Sequence, residues 1–176
     1  MPTYVGTLGD DTENNNTDDV FYGLDGNDEL TSGFDGPTYM YGGQGEDTIN
    51  YLDAATGAGE LYGDDGDDTI DGGTNSDEIY GGDNNDGISG VGGNDYIEGG
   101  PGNDSIEGGS HGWADTVGFG GAPAGVTVNL ATGTAQDGQG GTDTIANIEN
   151  VNGSAFNDHI TGNDGDNNLD GSLGND

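Results

Sequence analysis

Large apolar residues recur at every ninth position through the middle of this chain, and no other feature constrains its fold as strongly. Six repeats run without a gap over residues 54–107, and their apolar positions are Leu61, Ile70, Ile79, Ile88, Ile97 and Ile106. Gly59 stands two places before the first of these. The other five are preceded at that distance by an aspartate: Asp68, Asp77, Asp86, Asp95 and Asp104. A fixed period that holds two residue types in register predicts a solenoid of stacked repeats.

The full repeat has the form G-G-x-G-x-D-x-U-x, where U is a large apolar residue. Residues 99–107 (GGPGNDSIE) and 42–50 (GGQGEDTIN) match it throughout, while residues 23–31 and 63–71 lack only the second glycine. The last three positions predict a short strand with one inward side chain. The first six predict a turn, because glycine adopts positive φ angles that other residues resist.

Two such repeats would make one coil of 18 residues with a strand on each side. Coils would stack at the strand spacing of about 4.8 Å. The apolar residues would then form two inner walls: Leu61, Ile79 and Ile97 on one side, and Ile70, Ile88 and Ile106 on the other. The predicted fold class is therefore all-β, a parallel β-solenoid with two repeats per coil.

The match to the repeat loosens outside the central block. Ahead of it are the pairs Asp19/Phe21, Asp28/Leu30, Thr38/Met40 and Asp47/Ile49. Behind it are Asp115/Val117 after a two-residue insertion, Asp143/Ile145, Asp158/Ile160 and a repeat in which Asn167 replaces the aspartate. Between them, Val126 to Leu130 alternates apolar and polar residues as a strand does. We therefore expect repeats over residues 1–118, an inserted loop or hairpin on the same solenoid over 119–137, and further repeats over 138–176 that end in mid-repeat.

Charge adds a second constraint. The chain has 35 aspartates and glutamates but no lysine or arginine, which gives a formal net charge of −35. Folding concentrates this like charge, so either the chain is disordered or a mobile cation is part of the fold. Nucleic acid and anionic membrane surfaces are excluded as partners, since binding to them requires basic residues. No apolar run is long enough for membrane insertion.

Calcium is the cation that the available ligands favour. It takes 6–8 oxygen ligands and accepts carboxylates together with backbone carbonyls. Zinc and copper prefer nitrogen or sulfur, whereas this chain has two histidines and no cysteine. The thin core of each coil could not by itself offset the entropy of ordering the chain, so binding of several calcium ions would drive folding.

The nonapeptide motif resembles that of the repeats-in-toxin (RTX) family of secreted bacterial proteins, over nearly the whole chain. The resemblance implies a right-handed β-roll, export in an unfolded state through type I secretion, and folding outside the cell. It also implies that each ion lies between the turns of adjacent coils, so that Asp68 would pair with Asp86 and Asp104, and Asp77 with Asp95. The expected carboxylate ligands are Asp28, Asp47, Asp68, Asp77, Asp86, Asp95, Asp104, Asp115, Asp143 and Asp158. The expected carbonyl ligands are Gly43, Gly45, Gly66, Gly100 and Gly102.

Four tyrosines occupy the last position of alternate repeats: Tyr22, Tyr41, Tyr62 and Tyr80. We expect them to stack on one outer face, either as packing along the sheet or as a contact strip for a partner. His111 and His159 lie in no motif with a nucleophile, so no catalytic residue is expected. Thr48 and Thr69 are isolated, whereas ice binding usually needs a regular threonine array.

These features favour a structural protein over an enzyme, because catalytic domains in the RTX family precede the repeats and here the repeats fill the chain. We expect a building block of an extracellular or cell-surface assembly, such as a filament, an adhesin stalk or a surface layer. Since the chain shows no obvious cap and ends inside a repeat, head-to-tail self-assembly is expected. The alternatives are a calcium-dependent folding module of a larger secreted enzyme, and an ice- or polysaccharide-binding solenoid.

Overall fold

The computed structural model describes residues 3–15, 20–33, 36–52, 57–109 and 114–176, and all regular structure in these ranges is β-strand. The first ten strands are β1 (Thr3–Val5), β2 (Thr12–Asn15), β3 (Val20–Asp25), β4 (Glu29–Ser32), β5 (Thr38–Gln44), β6 (Thr48–Tyr51), β7 (Gly59–Asp65), β8 (Thr69–Asp71), β9 (Glu78–Asp83) and β10 (Gly87–Ser89). The next nine are β11 (Tyr96–Glu98), β12 (Ser105–Glu107), β13 (Thr116–Gly118), β14 (Thr127–Asn129), β15 (Thr134–Gln136), β16 (Thr142–Ala146), β17 (Asn150–Asn152), β18 (His159–Thr161) and β19 (Asn168–Asp170). Asp19 and His111 lie outside the described residues.

Successive strands alternate between two sheets. Sheet A has the order β1-β3-β5-β7-β9-β11-β13-β17-β19, and sheet B the order β18-β14-β15-β16-β12-β10-β8-β6-β4-β2. Each strand from β1 to β10 pairs in parallel with the strand two further along, the last of these partners being β12, so the chain winds as a coil. The predicted β-solenoid is confirmed. Nine strands of sheet A at about 4.8 Å per step give a stack about 38 Å long.

The two predicted inner walls are also confirmed. Ile88 pairs with Ile70 and Ile106 in sheet B, and Ile79 pairs with Leu61 and Ile97 in sheet A. The same columns continue in both directions through residues that are buried between the sheets: Phe21, Leu30, Met40, Ile49, Val117, Ile145 and Val151. One large apolar residue per strand is therefore enough to form a continuous core along the stack.

Strands β3, β5, β7 and β9 are longer than the three residues that the repeat predicts. They extend into the next turn, where Leu24 pairs with Gly43 and Asp64 with Gly82. The left-handed conformation of this second turn position persists even without glycine, since φ is 86° at Leu24, 74° at Asp64 and 70° at Val91. The turn geometry is thus imposed by the stack and is not chosen by each residue.

The outer face of sheet A carries the expected tyrosine ladder. The ring centroids of Tyr22 and Tyr41 are 5.0 Å apart, those of Tyr41 and Tyr62 are 4.8 Å apart, and those of Tyr62 and Tyr80 are 4.9 Å apart. Each pair is nearly parallel, with interplanar angles of 5–9°. Tyr96 ends the ladder in a tilted arrangement at 6.2 Å from Tyr80.

On sheet B, the expectation that Thr48 and Thr69 are isolated is wrong, because they are direct partners on β6 and β8. Irregular spacing before residue 69 hides this register in the sequence. The threonine column is nevertheless only two residues long, since Glu29 precedes it and Gly87 follows it. Among the residues that the structure describes, no helix has the length and apolar character needed to span a bilayer.

The segment that follows β13 interrupts the coil. β14 and β15 form an antiparallel hairpin, β15 pairs antiparallel with β16, and β16 rejoins the solenoid in parallel beside β12. Sheet B therefore gains two extra strands, while sheet A passes directly from β13 to β17. The hairpin brings residues 137–143 beside the turn that contains Asp104, although 39 residues separate Asp104 from Asp143.

Candidate metal centre

Aspartates of successive coils lie one above another in the turns that lead into sheet B. We call this set row one: Asp11, Asp28, Asp47, Asp68, Asp86, Asp104 and Asp143. After Asp11, the Oδ1 atom of each member accepts a hydrogen bond from the backbone N–H of the member one coil earlier, at 2.7–3.1 Å. Of the expected neighbours of Asp68, the structure places Asp86 directly beside it, whereas Asp104 lies one coil further on and is bonded to Asp86.

The second carboxylate oxygens of row one have a different environment. The Oδ2 atoms of five members are buried and receive no hydrogen bond from any described residue: Asp28, Asp47, Asp68, Asp86 and Asp104. A buried polar atom without a partner carries a large desolvation cost. An acceptor-only oxygen that is repeated in this way in successive coils is an environment that a cation would stabilise.

Backbone carbonyls approach the same Oδ2 atoms. At Gly42, a Cβ atom would overlap Asp47 Oδ2 and would lie 2.6 Å from the carbonyl oxygen of Gly63 in the next coil. At Gly81, the corresponding neighbours are Asp86 Oδ2 and, at 2.5 Å, the carbonyl oxygen of Gly99. The space that a side chain would take at the first glycine is therefore lined by oxygen atoms of two coils.

The five turn glycines predicted as carbonyl ligands lie at these interfaces between coils. The carbonyl oxygens of Gly45 and Gly102 project onto the glycines one coil further on, Gly66 and Gly141. Gly43, Gly66 and Gly100 have φ angles of 111°, 145° and 104°. Each of these three lies against the carbonyl of the residue one coil earlier, so the turn carbonyls point along the axis of the stack.

Burial has a large electrostatic effect on row one. Desolvation raises the pKa of Asp68 and Asp86 to about 7 and that of Asp47 to about 6, although a hydrogen bond from the preceding coil opposes the shift. Neighbouring carboxylates of the row raise these pKa values further. No lysine or arginine is available to relieve this cost, and a bound divalent cation would relieve it.

A second set, row two, lies in the turns that lead into sheet A and consists of Gly59, Asp77, Asp95, Asp115 and Glu149. Gly59 N–H donates to Asp77 Oδ1 at 2.5 Å, and Asp77 N–H donates to Asp95 Oδ1 at 2.9 Å, as the predicted pairing requires. Asp95 N–H then donates to Asp115 at 2.9 Å, and Asp115 N–H to Glu149 Oε2 at 3.0 Å.

Asp158 has a different environment from the other predicted ligands. Its Oδ1 atom accepts bonds from Val126 N–H at 2.8 Å and from the Ser154 hydroxyl at 2.7 Å, and its Oδ2 atom accepts one from Ser154 N–H at 2.7 Å. Both oxygens are therefore satisfied by the protein itself. In the following repeat Asn167 side-chain oxygen accepts a bond from Asn163 N–H at 2.8 Å, so the local turn is kept without a charge.

The sequence analysis missed three acidic residues at these interfaces. Asp11 belongs to an N-terminal repeat, residues 6–14, in which Glu13 pairs with Leu30 where an apolar residue is expected. Glu149 stands two places before the buried Val151, which is a signal that a search for aspartate alone overlooks. Asp137 is 1% exposed, and it precedes its repeat instead of lying inside it, so the motif gives no signal for it.

These donor atoms fit calcium better than a transition metal. Among the described residues, no three His, Cys, Asp or Glu side chains come together as a ligand set. An ion at these interfaces would therefore need backbone carbonyls besides the row carboxylates, and a mixture of this kind is typical of calcium sites. A bound ion would supply positive charge beside the buried Oδ2 atoms of row one, which no described donor reaches.

Comparison with known proteins agrees with this geometry. The RTX calcium-binding nonapeptide repeat matches the chain over residues 15–38, 32–50, 53–88, 62–97, 89–111 and 137–176. No curated protein matches the chain. The matched segments cover well over half of the sequence and include every member of both rows except Asp11 and Asp115. The chain is a member of the RTX calcium-binding nonapeptide repeat family.

Proposed function

We propose that this chain is an extracellular structural module that folds when several calcium ions fill the interfaces between its coils. The observation that carries the proposal is the series of buried Oδ2 atoms in row one that have no hydrogen-bond donor among the described residues. In a chain without lysine or arginine, only a mobile cation can neutralise such a series. Its binding to the folded state alone would supply the free energy of folding.

We assign the ligands by row. The proposed carboxylate ligands are Asp28, Asp47, Asp68, Asp86, Asp104 and Asp143 in row one, and Asp77, Asp95 and Asp115 in row two. The proposed carbonyl ligands are Gly43, Gly45, Gly66, Gly100 and Gly102. Asp158 is the weakest member of the predicted set, because Ser154 and Val126 already satisfy both of its oxygens.

An extracellular location follows from the calcium requirement. Extracellular calcium modules work at dissociation constants of about 10⁻⁴–10⁻³ M, a concentration range that the cytosol does not reach. A chain with a charge of −35 would remain expanded at cytosolic calcium and would fold after export. This behaviour suits secretion of an unfolded chain by a bacterial type I system, which we propose as its route.

A structural role suits the shape that calcium would stabilise. From β1 to β12 the parallel ladders repeat one coil geometry, which makes a rod-like stack up to the point where the hairpin of β14 and β15 interrupts it. We propose that such rods serve as building blocks of an extracellular assembly such as a filament, a stalk or a surface layer, with head-to-tail association of copies as the mode of self-assembly.

The proposal is tested by calcium titration of the purified chain, followed by circular dichroism and small-angle X-ray scattering. We expect an expanded chain in chelator, a cooperative gain of β-structure at millimolar calcium, and no comparable gain with magnesium at the same concentration. Equal β-structure with and without chelator would overturn the calcium requirement. Electron microscopy of the calcium-bound sample tests the assembly role: filaments would support it, whereas compact monomers would favour a folding module of a larger secreted protein.

A further inference from the structure

The interface between the coil of Asp104 and the coil of Asp143 differs from the earlier interfaces of row one. In the preceding interface, the carbonyl oxygens of Gly99 and Pro101 accept hydrogen bonds from the N–H groups of Gly82 and Asn84. Within the described residues, Gly100 and Gly102 make no corresponding bonds to the coil of Asp143. The hairpin has replaced the first part of that coil, so the backbone hydrogen bonds that join the earlier coils are not formed here among the described residues.

The surroundings of the first glycine of the repeat also change at this interface. A Cβ atom at Gly63 or Gly81 would meet the carbonyl oxygen of the first glycine one coil further on. At Gly99 the three nearest atoms all belong to Asp104. No carbonyl oxygen of the following coil is among these three atoms, in contrast to Gly63 and Gly81, and Asp104 Oδ2 is buried without a donor among the described residues.

The side chain of Asp137 occupies this interface. Asp137 is 1% exposed, and its Oδ1 atom accepts hydrogen bonds from the N–H groups of Gln139, Gly140 and Gly141 at 2.9–3.0 Å. Its Oδ2 atom is buried and has no donor among the described residues. A Cβ atom at Gly141 would overlap the Gly102 carbonyl oxygen and would lie 2.8 Å from Asp137 Oδ2. The Gly102 carbonyl oxygen and Asp137 Oδ2 are therefore both close to the same position beside Gly141.

We infer that Asp137 is an additional calcium ligand, supplied by the hairpin where the usual backbone hydrogen bonds between coils are not formed, at a site that also includes Asp104 and the Gly102 carbonyl. The site differs from the others of row one in having a carboxylate that does not belong to the nonapeptide motif. Calcium affinity rises with the number of charged ligands, so Asp137 strengthens binding at this interface. The inference concerns Asp137 and its two neighbours and does not require Asp143 as a ligand. The inference rests on the proposed calcium-dependent function.

The charges at this interface agree with the inference. Burial raises the pKa of Asp143 to about 7 and that of Asp104 to about 6, and the charge of Asp137 contributes to both shifts. Asp137 therefore lies within electrostatic reach of both row-one carboxylates. Three neighbouring carboxylates without a basic residue are costly in the absence of a cation and favourable around one.

The variant Asp137→Asn separates this role from simple turn capping. The amide keeps an oxygen to accept the three backbone N–H groups, and its Nδ2 can donate to the Gly102 carbonyl. The matched control is Asp164→Asn, which removes the same charge from an exposed position. We expect native mass spectrometry and isothermal titration calorimetry with calcium to show one ion fewer for D137N, or one site weakened at least about tenfold, and no change for D164N.

Thermal unfolding completes the test, measured in calcium and in chelator at pH 4.5, where protonation of the row carboxylates is expected to permit β-structure without calcium. In chelator, D137N should be at least as stable as the unsubstituted chain, because its amide can donate to the Gly102 carbonyl, whereas in calcium it should be less stable. Unchanged stoichiometry and affinities in D137N would overturn the inference, as would an equal loss of stability in both conditions. If the unsubstituted chain bound no calcium at all, the proposed function itself would fail, which is a distinct result.

Discussion

Row one and row two differ in where their carboxylates begin. Row one has an aspartate in every described coil from Asp11 to Asp143, whereas the first described positions of row two are Thr38 and Gly59. Asp19, at the same position before Phe21, lies outside the described residues. Within them, carboxylates appear in row two only from Asp77 onwards, and the row ends in Glu149. The two edges of one solenoid thus carry different numbers of candidate ion sites.

The coils of Thr38 and Gly59, which lack a row-two carboxylate, have other sources of stability. Their strands β5 and β7 are seven residues long and the flanking β3 and β9 have six, while the later strands of sheet A have three. The stacked rings of Tyr22, Tyr41, Tyr62 and Tyr80 cover the same strands. We infer that longer ladders and aromatic stacking stabilise these two coils where row two supplies no carboxylate and row one keeps its own.

The largest effect is expected from pH in calcium-free buffer. Burial raises the pKa of Asp47 to about 6 and the pKa of Asp68 and Asp86 to about 7, above the ordinary value of 3.8 for an aspartate. The folded chain therefore holds more protons than the unfolded chain between pH 4 and 7, so its stability falls as pH rises through this window. We expect β-structure to increase when calcium-free protein is taken from pH 7.5 to pH 4.5, as measured by circular dichroism.

In millimolar calcium the trend should reverse, because calcium binds the deprotonated carboxylates and acid displaces it. A calcium-free chain whose β-structure does not change between pH 7.5 and 4.5 would contradict the assignment of row one as buried and uncompensated.

The next largest effect is expected from single substitutions, one in each row. Asp86 has an aspartate in the coils on both sides, whereas Asp77 has Gly59 on one side. If each ion needs carboxylates from two coils, Asp86 serves two interfaces and Asp77 serves one. We expect Asp86→Asn to raise the calcium concentration at the folding midpoint on the order of tenfold, and Asp77→Asn to raise it less. Equal shifts in calcium titrations of the two variants would show that the rows act alike.

A smaller effect is expected in the tyrosine ladder. Tyr62 stacks on two neighbours, so Tyr62→Ser should lower the free energy of unfolding in saturating calcium by about 1–3 kcal/mol. The measurement is chemical denaturation at fixed calcium. The control Tyr62→Phe keeps the ring and loses only the hydroxyl that donates to Glu60. A loss in Y62F as large as that in Y62S would mean that this hydrogen bond, and not the stacking, stabilises the region.

The smallest effect concerns turn strain in row two. Val91 is a β-branched residue at φ 70°, in the turn that leads to Asp95. Val91→Gly should raise the free energy of unfolding in calcium by about 1 kcal/mol, since relief of strain exceeds the extra entropy of glycine. Differential scanning calorimetry would detect the shift. A lower melting temperature in V91G would show that the side chain contributes more by packing than it costs in strain.

The sequence predicts the parts of this molecule that depend on period alone. The nine-residue spacing places Ile70, Ile88 and Ile106 in one wall, and it aligns the row aspartates between them. It does not predict Asp137, because a hairpin with no counterpart in the repeat brings that residue to the turn of Asp104. Likewise, it does not reveal that Thr48 and Thr69 are neighbours, since a coil of 21 residues separates them.

The parallel register also determines how the stack would respond to force along its axis. The register repeats every 18 residues from Ile88 to Ile106, so each coil that peels from the end would release about 60 Å of chain while the stack shortens by about 4.8 Å. Extension would therefore proceed in steps of similar size. At the junction where 39 residues separate Asp104 from Asp143, one extension step would be about twice as long as the others. A single-molecule force trace would therefore show the position of the hairpin as one long step in an otherwise even series.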